Sequence, residues 1–285
     1  MKARTSRFRW GFAVIALALT ASLPVCAASP AGRDVDVAPP VLAFAEPPAA
    51  PVSIFGPASE PALPRMAPEL ALATFQQHGD SQPGELAWYS DETEINAVLP
   101  DTQQKGNYQL VREFSAPNAL AYKPLRFTGD GFIKTNLMLR LLQSDVERVE
   151  KRRDGELAIS AANYHFAYKG PDSIEGHAVH VFQVKPRRKV PGLFKGRIYL
   201  DAATGTLRRA EGTLVKSPSF FIKKIDFVQD YAEVGGFTMP VRTHSAALTR
   251  VVGRAIVDIF HRNYQARAAA GGQPQVGAAL TAAQF

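Results

Sequence analysis

The chain has 285 residues, 46% of them hydrophobic, with one cysteine and a formal net charge of +7. A lone cysteine excludes an intramolecular disulfide, so stability must come from a buried core, which this length can supply. Much of the positive charge sits in the first nine residues, so the basic balance alone does not imply a nucleic-acid partner.

Residues 1–9 carry Lys2, Arg4, Arg7 and Arg9 without an acid; Trp10 to Leu23 is apolar; Ala27 and Ala28 offer small residues for cleavage. This order predicts a cleaved signal peptide over residues 1–28. The apolar run is shorter than the ~20 residues a spanning helix needs, so no stable transmembrane segment is expected after cleavage. Removing the four leader cations leaves 29 of the 33 basic residues against 26 acids, a net charge of +3. Cys26 raises an alternative, a lipid anchor at the cleavage point, but Val25 is bulkier than the small residue such processing takes. Residues 29–68 are rich in Ala and Pro, including Pro39, Pro40, Pro47 and Pro48, which predicts a disordered spacer.

The folded part is expected over residues 69–265, with a flexible tail at 266–285. Glu69 to Gln77 reads as a short helix, led by Pro68 and stopped by Gly79. Leu86 to Leu99 and Asn107 to Ser115 form a hairpin, and Leu120 to Phe127 is a third strand. After Gly129-Asp130-Gly131 the period changes. Leu137, Met138, Leu141, Leu142, Val146 and Val149 mark the core stripe of a helix from Phe132 to Arg152, which Asp130 caps. Asn163 to Lys169 and Gly176 to Lys185 follow as strands around a turn at Gly170-Pro171-Asp172. From Phe194 to Arg262 the chain is a run of strands separated by turn residues, the pattern of an antiparallel meander rather than of βαβ units. Val251, Ala255, Val257 and Ile259 lie in one phase of the last strand, and Val252, Ile256 and Phe260 in the other. Two apolar faces fit a curved sheet covered by helices. About ten strands result.

The segments Arg112-Glu113-Phe114-Ser115-Ala116-Pro117, Gly129-Asp130-Gly131-Phe132 and the hairpin through Asp201 to Gly205 resemble the outer-membrane lipoprotein-sorting family, the LolA/LolB-like proteins. The resemblance spans roughly Leu86 to Tyr264. It implies a mainly β fold with α (α+β), a curved antiparallel sheet forming a half-open β-barrel covered by helices. It also implies a periplasmic carrier of lipoprotein acyl chains, lipids or another hydrophobic ligand, and not an enzyme. Envelope proteins of the outer or inner membrane are a further class of partner. The family's cavity arginine has one candidate counterpart in Arg112. The long Pro-rich spacer departs from the family's pattern.

Candidate cavity residues are taken from the branched and aromatic positions of the meander: Ile198, Leu200, Leu207, Ile225, Phe227 and Val241. Lys185, Arg187, Arg188 and Lys189 form the strongest basic cluster, a candidate contact for lipid headgroups or an acidic partner. No His-Glu-x-x-His, Gly-x-Ser-x-Gly or phosphate-cradling glycine loop occurs, and the histidines are dispersed. No catalytic residue, metal ligand, cofactor or nucleic-acid partner is therefore expected. A second class of function is an envelope sensor or assembly module that uses the same barrel as a scaffold.

Overall fold

Strand alternation sets the architecture, because a period of two sends every other side chain to one face. The structure is a computed structural model and describes residues 65–151 and 154–269. In β1 (Leu86–Leu99) the residues Asp91, Thr93, Ile95, Ala97 and Leu99 are buried in phase; β2 (Gln104–Ser115) does the same with Tyr108, Leu110, Arg112 and Phe114. The remaining strands are β3 (Ala119–Gly129), β4 (Tyr164–Ile174), β5 (His177–Pro186), β6 (Phe194–Asp201), β7 (Leu207–Leu214), β8 (Ile222–Val234), β9 (Phe237–Thr249) and β10 (Arg254–Ala268).

All ten form one sheet in the order β3-β2-β1-β10-β9-β8-β7-β6-β5-β4, with every neighbouring pair antiparallel. The sheet curls without closing. Leu110 of β2 and Phe182 of β5, far apart in strand order, belong to the same buried cluster. The two edges, β3 and β4, are consecutive in the chain. Between them run α2 (Gly131–Ile133), a π-helical turn (Lys134–Met138), α3 (Leu139–Glu150) and α4 (Asp154–Leu157). Asp130 caps this helical run by accepting from the Phe132 N–H at 2.7 Å. Leu137, Met138, Leu141 and Leu142 pack into the main cluster. Each such burial contributes roughly 1.5–3 kcal/mol. The fold is thus an open, curved antiparallel β-barrel covered by helices.

The backbones of β6 and β7 approach closely at the paired Gly196 and Gly212. A Cβ on Gly196 would lie 1.8 Å from the Glu211 carbonyl oxygen, so only glycine fits there. Gly205, at φ +72°, supplies the left-handed residue of the following turn.

Several boundaries differ from the sequence expectation. α1 (Pro68–Glu85) continues through Gly79, which does not adopt the positive φ that would stop a helix. β4 runs through Gly170-Pro171-Asp172 instead of turning. Lys169 bulges from the ladder, and Pro171 is tolerated because β4 is an edge strand. The actual turn is at Glu175 and Gly176, both with positive φ. β10 passes Gln265 and pairs Ala266 and Ala268 with Tyr89 and Leu86, so the folded region exceeds the expected limit. Val251 and Val252 precede this strand and lie in a turn. On its outer face Phe260 is half-buried, covered by the guanidinium groups of Arg242 and Arg262 and not by a helix. The leader at 1–28 with Cys26, residues 29–64 of the spacer and 270–285 of the tail lie outside the described residues.

Candidate functional site

A transverse layer of buried polar side chains interrupts the inner face. On β1, Asp91 and Thr93 replace the apolar series of Ile95, Ala97 and Leu99. On β2, Arg112 lies between Leu110 of the main cluster and Phe114 of a second, smaller cluster. On β10, His261 follows Ile259 in phase, and Tyr264 joins the smaller cluster. On α3, Asp145 falls one turn from Leu141 and one turn from Val149, again with one cluster on each side. Four elements thus contribute a polar group at one level, and that level separates the two clusters.

Asp91 is the hub. Its Oδ1 accepts from Arg112 Nε at 2.7 Å; its Oδ2 accepts from Thr93 Oγ1 at 2.7 Å and from His261 Nδ1 at 2.9 Å. Arg112 Nη2 donates to the Tyr264 hydroxyl at 2.6 Å, which donates onward to the Pro240 carbonyl at 2.6 Å. The guanidinium also lies 5.0 Å from the centroid of the Tyr89 ring. Asp145 of α3 accepts from the Tyr122 hydroxyl of β3 and pairs with Arg148, and the Arg112 charge also acts on it.

Burial pushes the Asp91 carboxyl up, yet the Arg112 charge and then its interactions with His261 and Thr93 outweigh it and hold it well below the usual carboxylate range. Asp145 shows the same balance, with burial opposed first by Arg148 and then by Tyr122. Burial and then the neighbouring Arg112 push His261 down from its ordinary value, so its ring is neutral at neutral pH. Asp91 accepts only, so the ring proton sits on Nδ1. Nε2 is then left as an acceptor, buried and without a hydrogen-bond partner among the described residues. A second polar file, from the Tyr231 hydroxyl to Gln229 and on to Thr243, crosses β8 and β9 on the inner face.

Of the residues singled out in the sequence, Ile198, Leu200, Leu207, Ile225 and Phe227 are fully buried in the main cluster. Phe227 meets Phe194 edge-on at 5.0 Å. Val241 is half-buried and unpaired, at a bulge where Asp230 pairs with Arg242 and Tyr231 with Pro240. Lys185, Arg187, Arg188 and Lys189 are exposed at and after the end of β5, remote in the ladder from the Asp91 layer. Sequence reasoning singled out Arg112 but not Asp91, His261, Tyr264 or Asp145. For Asp91, His261 and Asp145 the signal was phase, since each stands where its own element calls for an apolar side chain; Tyr264 lies out of phase with Ile259 and His261 and follows the irregularity at Asn263, which has positive φ.

No family model matches the sequence, and no curated protein does. Solved structures do resemble it. A LolA superfamily protein from Nitrosomonas europaea shares 10% identity at TM-score 0.35, over 71% of this chain and 94% of its own. An outer membrane lipoprotein-sorting protein domain from Vibrio parahaemolyticus shares 12% identity at TM-score 0.37, over 72% of this chain and 94% of its own. A DUF1329 family protein from Desulfovibrio piger shares 8% identity at TM-score 0.36, over 72% and 94%. With identities and scores this low, the functional reading rests on the geometry of this chain.

Proposed function

We propose that this chain is a non-enzymatic periplasmic binding protein that shields a hydrophobic ligand, with lipid or lipoprotein acyl chains as the ligand class. The observation that carries the reading is the unclosed sheet. An apolar interior is bordered by two edge strands, β3 and β4, and covered on the β1–β3 side by a helical run outside the ladder. Displacing the Leu137, Met138, Leu141 and Leu142 stripe would let an acyl chain take its place, each methylene contributing about 0.8 kcal/mol. Ile198, Leu200, Leu207, Ile225 and Phe227 would form the far wall of that interior and Val241 its rim. The Asp91–Arg112–His261 layer would limit how deep the ligand reaches, because an alkyl chain cannot replace its hydrogen bonds.

Titration with a fluorescent fatty-acid probe tests this. Saturable binding, competed by unlabelled fatty acid and accompanied by faster amide exchange in α3, is the expected result. One observation favours a second reading, an envelope sensor or assembly module built on the same scaffold. The Phe194–Phe227 wall is close-packed, as a scaffold core would be. A folded protein with no saturable probe binding would select that module over the carrier.

A further inference from the structure

One end of the sheet carries exposed apolar side chains among unneutralised cations. In an antiparallel meander alternate connections share an end, and pairing of Val98 with Ile256 brings the β1–β2 and β9–β10 turns together. The connections at residues 100–103, 187–193, 215–221 and 250–253 therefore emerge on the same side. Phe220 stands 78% exposed on the third of these and Val251 54% exposed on the fourth. Leaving a phenyl ring in water forfeits its burial energy, and here the ring is held outward by contacts of its own. Arg250 N donates to the Phe221 carbonyl and Arg250 Nε to the Phe220 carbonyl, both at 2.8 Å, while its guanidinium lies 4.7 Å from the centroid of the Phe220 ring. Asp101 accepts from Arg254 N at 3.2 Å, which joins the first and fourth connections as well.

Cations surround both tips. Lys216 and Lys223 flank Phe220, and Arg250 and Arg254 flank Val251; all four are exposed. Lys185, Arg187, Arg188 and Lys189 extend the same end through the second connection. Arg187 donates to the Ala161 carbonyl and Arg188 to the Glu156 carbonyl, both neutral acceptors, and no ion pair to either arginine is found among the described residues. At the opposite end the turns carry or adjoin Asp172, Glu175, Asp201 and Glu233, and there Arg208 pairs with Asp201 at 2.9 Å and Arg209 lies 3.9 Å from Glu175.

We propose that this basic end is a docking surface for an anionic lipid bilayer, with Phe220 and Val251 inserted between headgroups and the surrounding Lys and Arg side chains held at phosphate level. Apolar groups standing singly on separate loop tips, with long cationic stems between them, match an interface that is apolar below and anionic above. An acidic protein would use the charges but would leave Phe220 and Val251 without a pocket. This docking is independent of whether the interior holds a ligand.

The test is co-sedimentation of the protein, purified in its cellular form, with vesicles of phosphatidylethanolamine and phosphatidylglycerol, against vesicles of phosphatidylcholine alone. Binding is expected to the anionic vesicles only. The double variant Phe220→Ser, Val251→Ser should weaken it roughly tenfold or more, and Lys189→Ser and Lys216→Ser roughly fivefold each. All four positions are in exposed connections, so the denaturation midpoint should stay that of the unsubstituted protein. As a second readout, Phe220→Trp should show blue-shifted emission quenched by brominated-chain lipids. Equal binding by the Phe220, Val251 variant, loss confined to the lysine variants, or unshifted emission at Trp in place of Phe220 would overturn the proposal. Loss confined to the lysines would point to an acidic protein as the partner.

Discussion

The inner face of this sheet is built on two opposite principles. Across β6 and the first half of β8, before Gln229, it is apolar, with Phe194, Ile198, Ile225 and Phe227 packed together. Across β1, β2 and β10 the same face carries Asp91, Arg112 and His261, all with less than a tenth of their surface exposed. The apolar half gains from burial whatever its detailed partners. The polar half must first lose its hydration, and it recovers that cost only because each charge finds a specific partner. The apolar half therefore provides stability, whereas the polar half fixes which strands meet and where α3 sits.

Substitutions that exchange the two principles should give the largest effects. Phe227→Glu places a carboxylate opposite Phe194 with no cation assigned to it, a cost of several kcal/mol against a total stability of about 5–15 kcal/mol. Loss of the cooperative unfolding transition is expected. A folded variant would show instead that water reaches this wall. Arg112→Ala removes the principal counter-charge of Asp91 and should cost about 3–5 kcal/mol by chemical denaturation. Arg112→Lys should recover only part of this, because one ammonium cannot serve Asp91 and Tyr264 with the same fork.

The pH dependence separates the halves further. His261 has a folded pKa below its ordinary 6.5, so the unfolded chain binds the proton more readily. Its contribution is present above about pH 6.5 and is lost as pH falls toward the folded value. Asp91 is also depressed, so a further loss begins below its unfolded value of 3.8. His261→Phe should flatten the stability curve just below about pH 6.5 while leaving the acid limb. An unchanged curve would place the titrating group elsewhere.

Smaller effects are expected where α3 meets the layer. Asp145→Asn should cost about 1–3 kcal/mol and speed amide exchange in α3 before it speeds exchange in β1. Lys151→Ala breaks an i,i+4 pair with Glu147 on the solvent side of the same helix, and it should leave the midpoint unmoved.

Strand number, the meander and the α3 stripe were legible because period-two and period-3.6 patterns are local. The sheet order was not, because pairing of β1 with β10 joins residues over 150 positions apart, as at Thr93 and His261. Asp91 and His261 look like surface residues one at a time, since alternation places polar groups on alternate positions anyway. Only their phase with Ile95 and Ile259 marks them as inward. Asp145 resembles any acid on a helix until Val149 shows that the stripe continues past it. The Lys185–Lys189 cluster was visible as composition, but its place beside Phe220 and Val251 follows from strand direction.

The central claim is that the interior of this open sheet accepts an apolar ligand, and the most direct measurement is mass spectrometry of the protein purified from the cell envelope under native conditions, followed by organic extraction. The account predicts a stoichiometric lipid or acylated species that dissociates when α3 is loosened by Asp145→Asn. A protein that is free of extractable lipid and remains so after incubation with envelope lipids would contradict it.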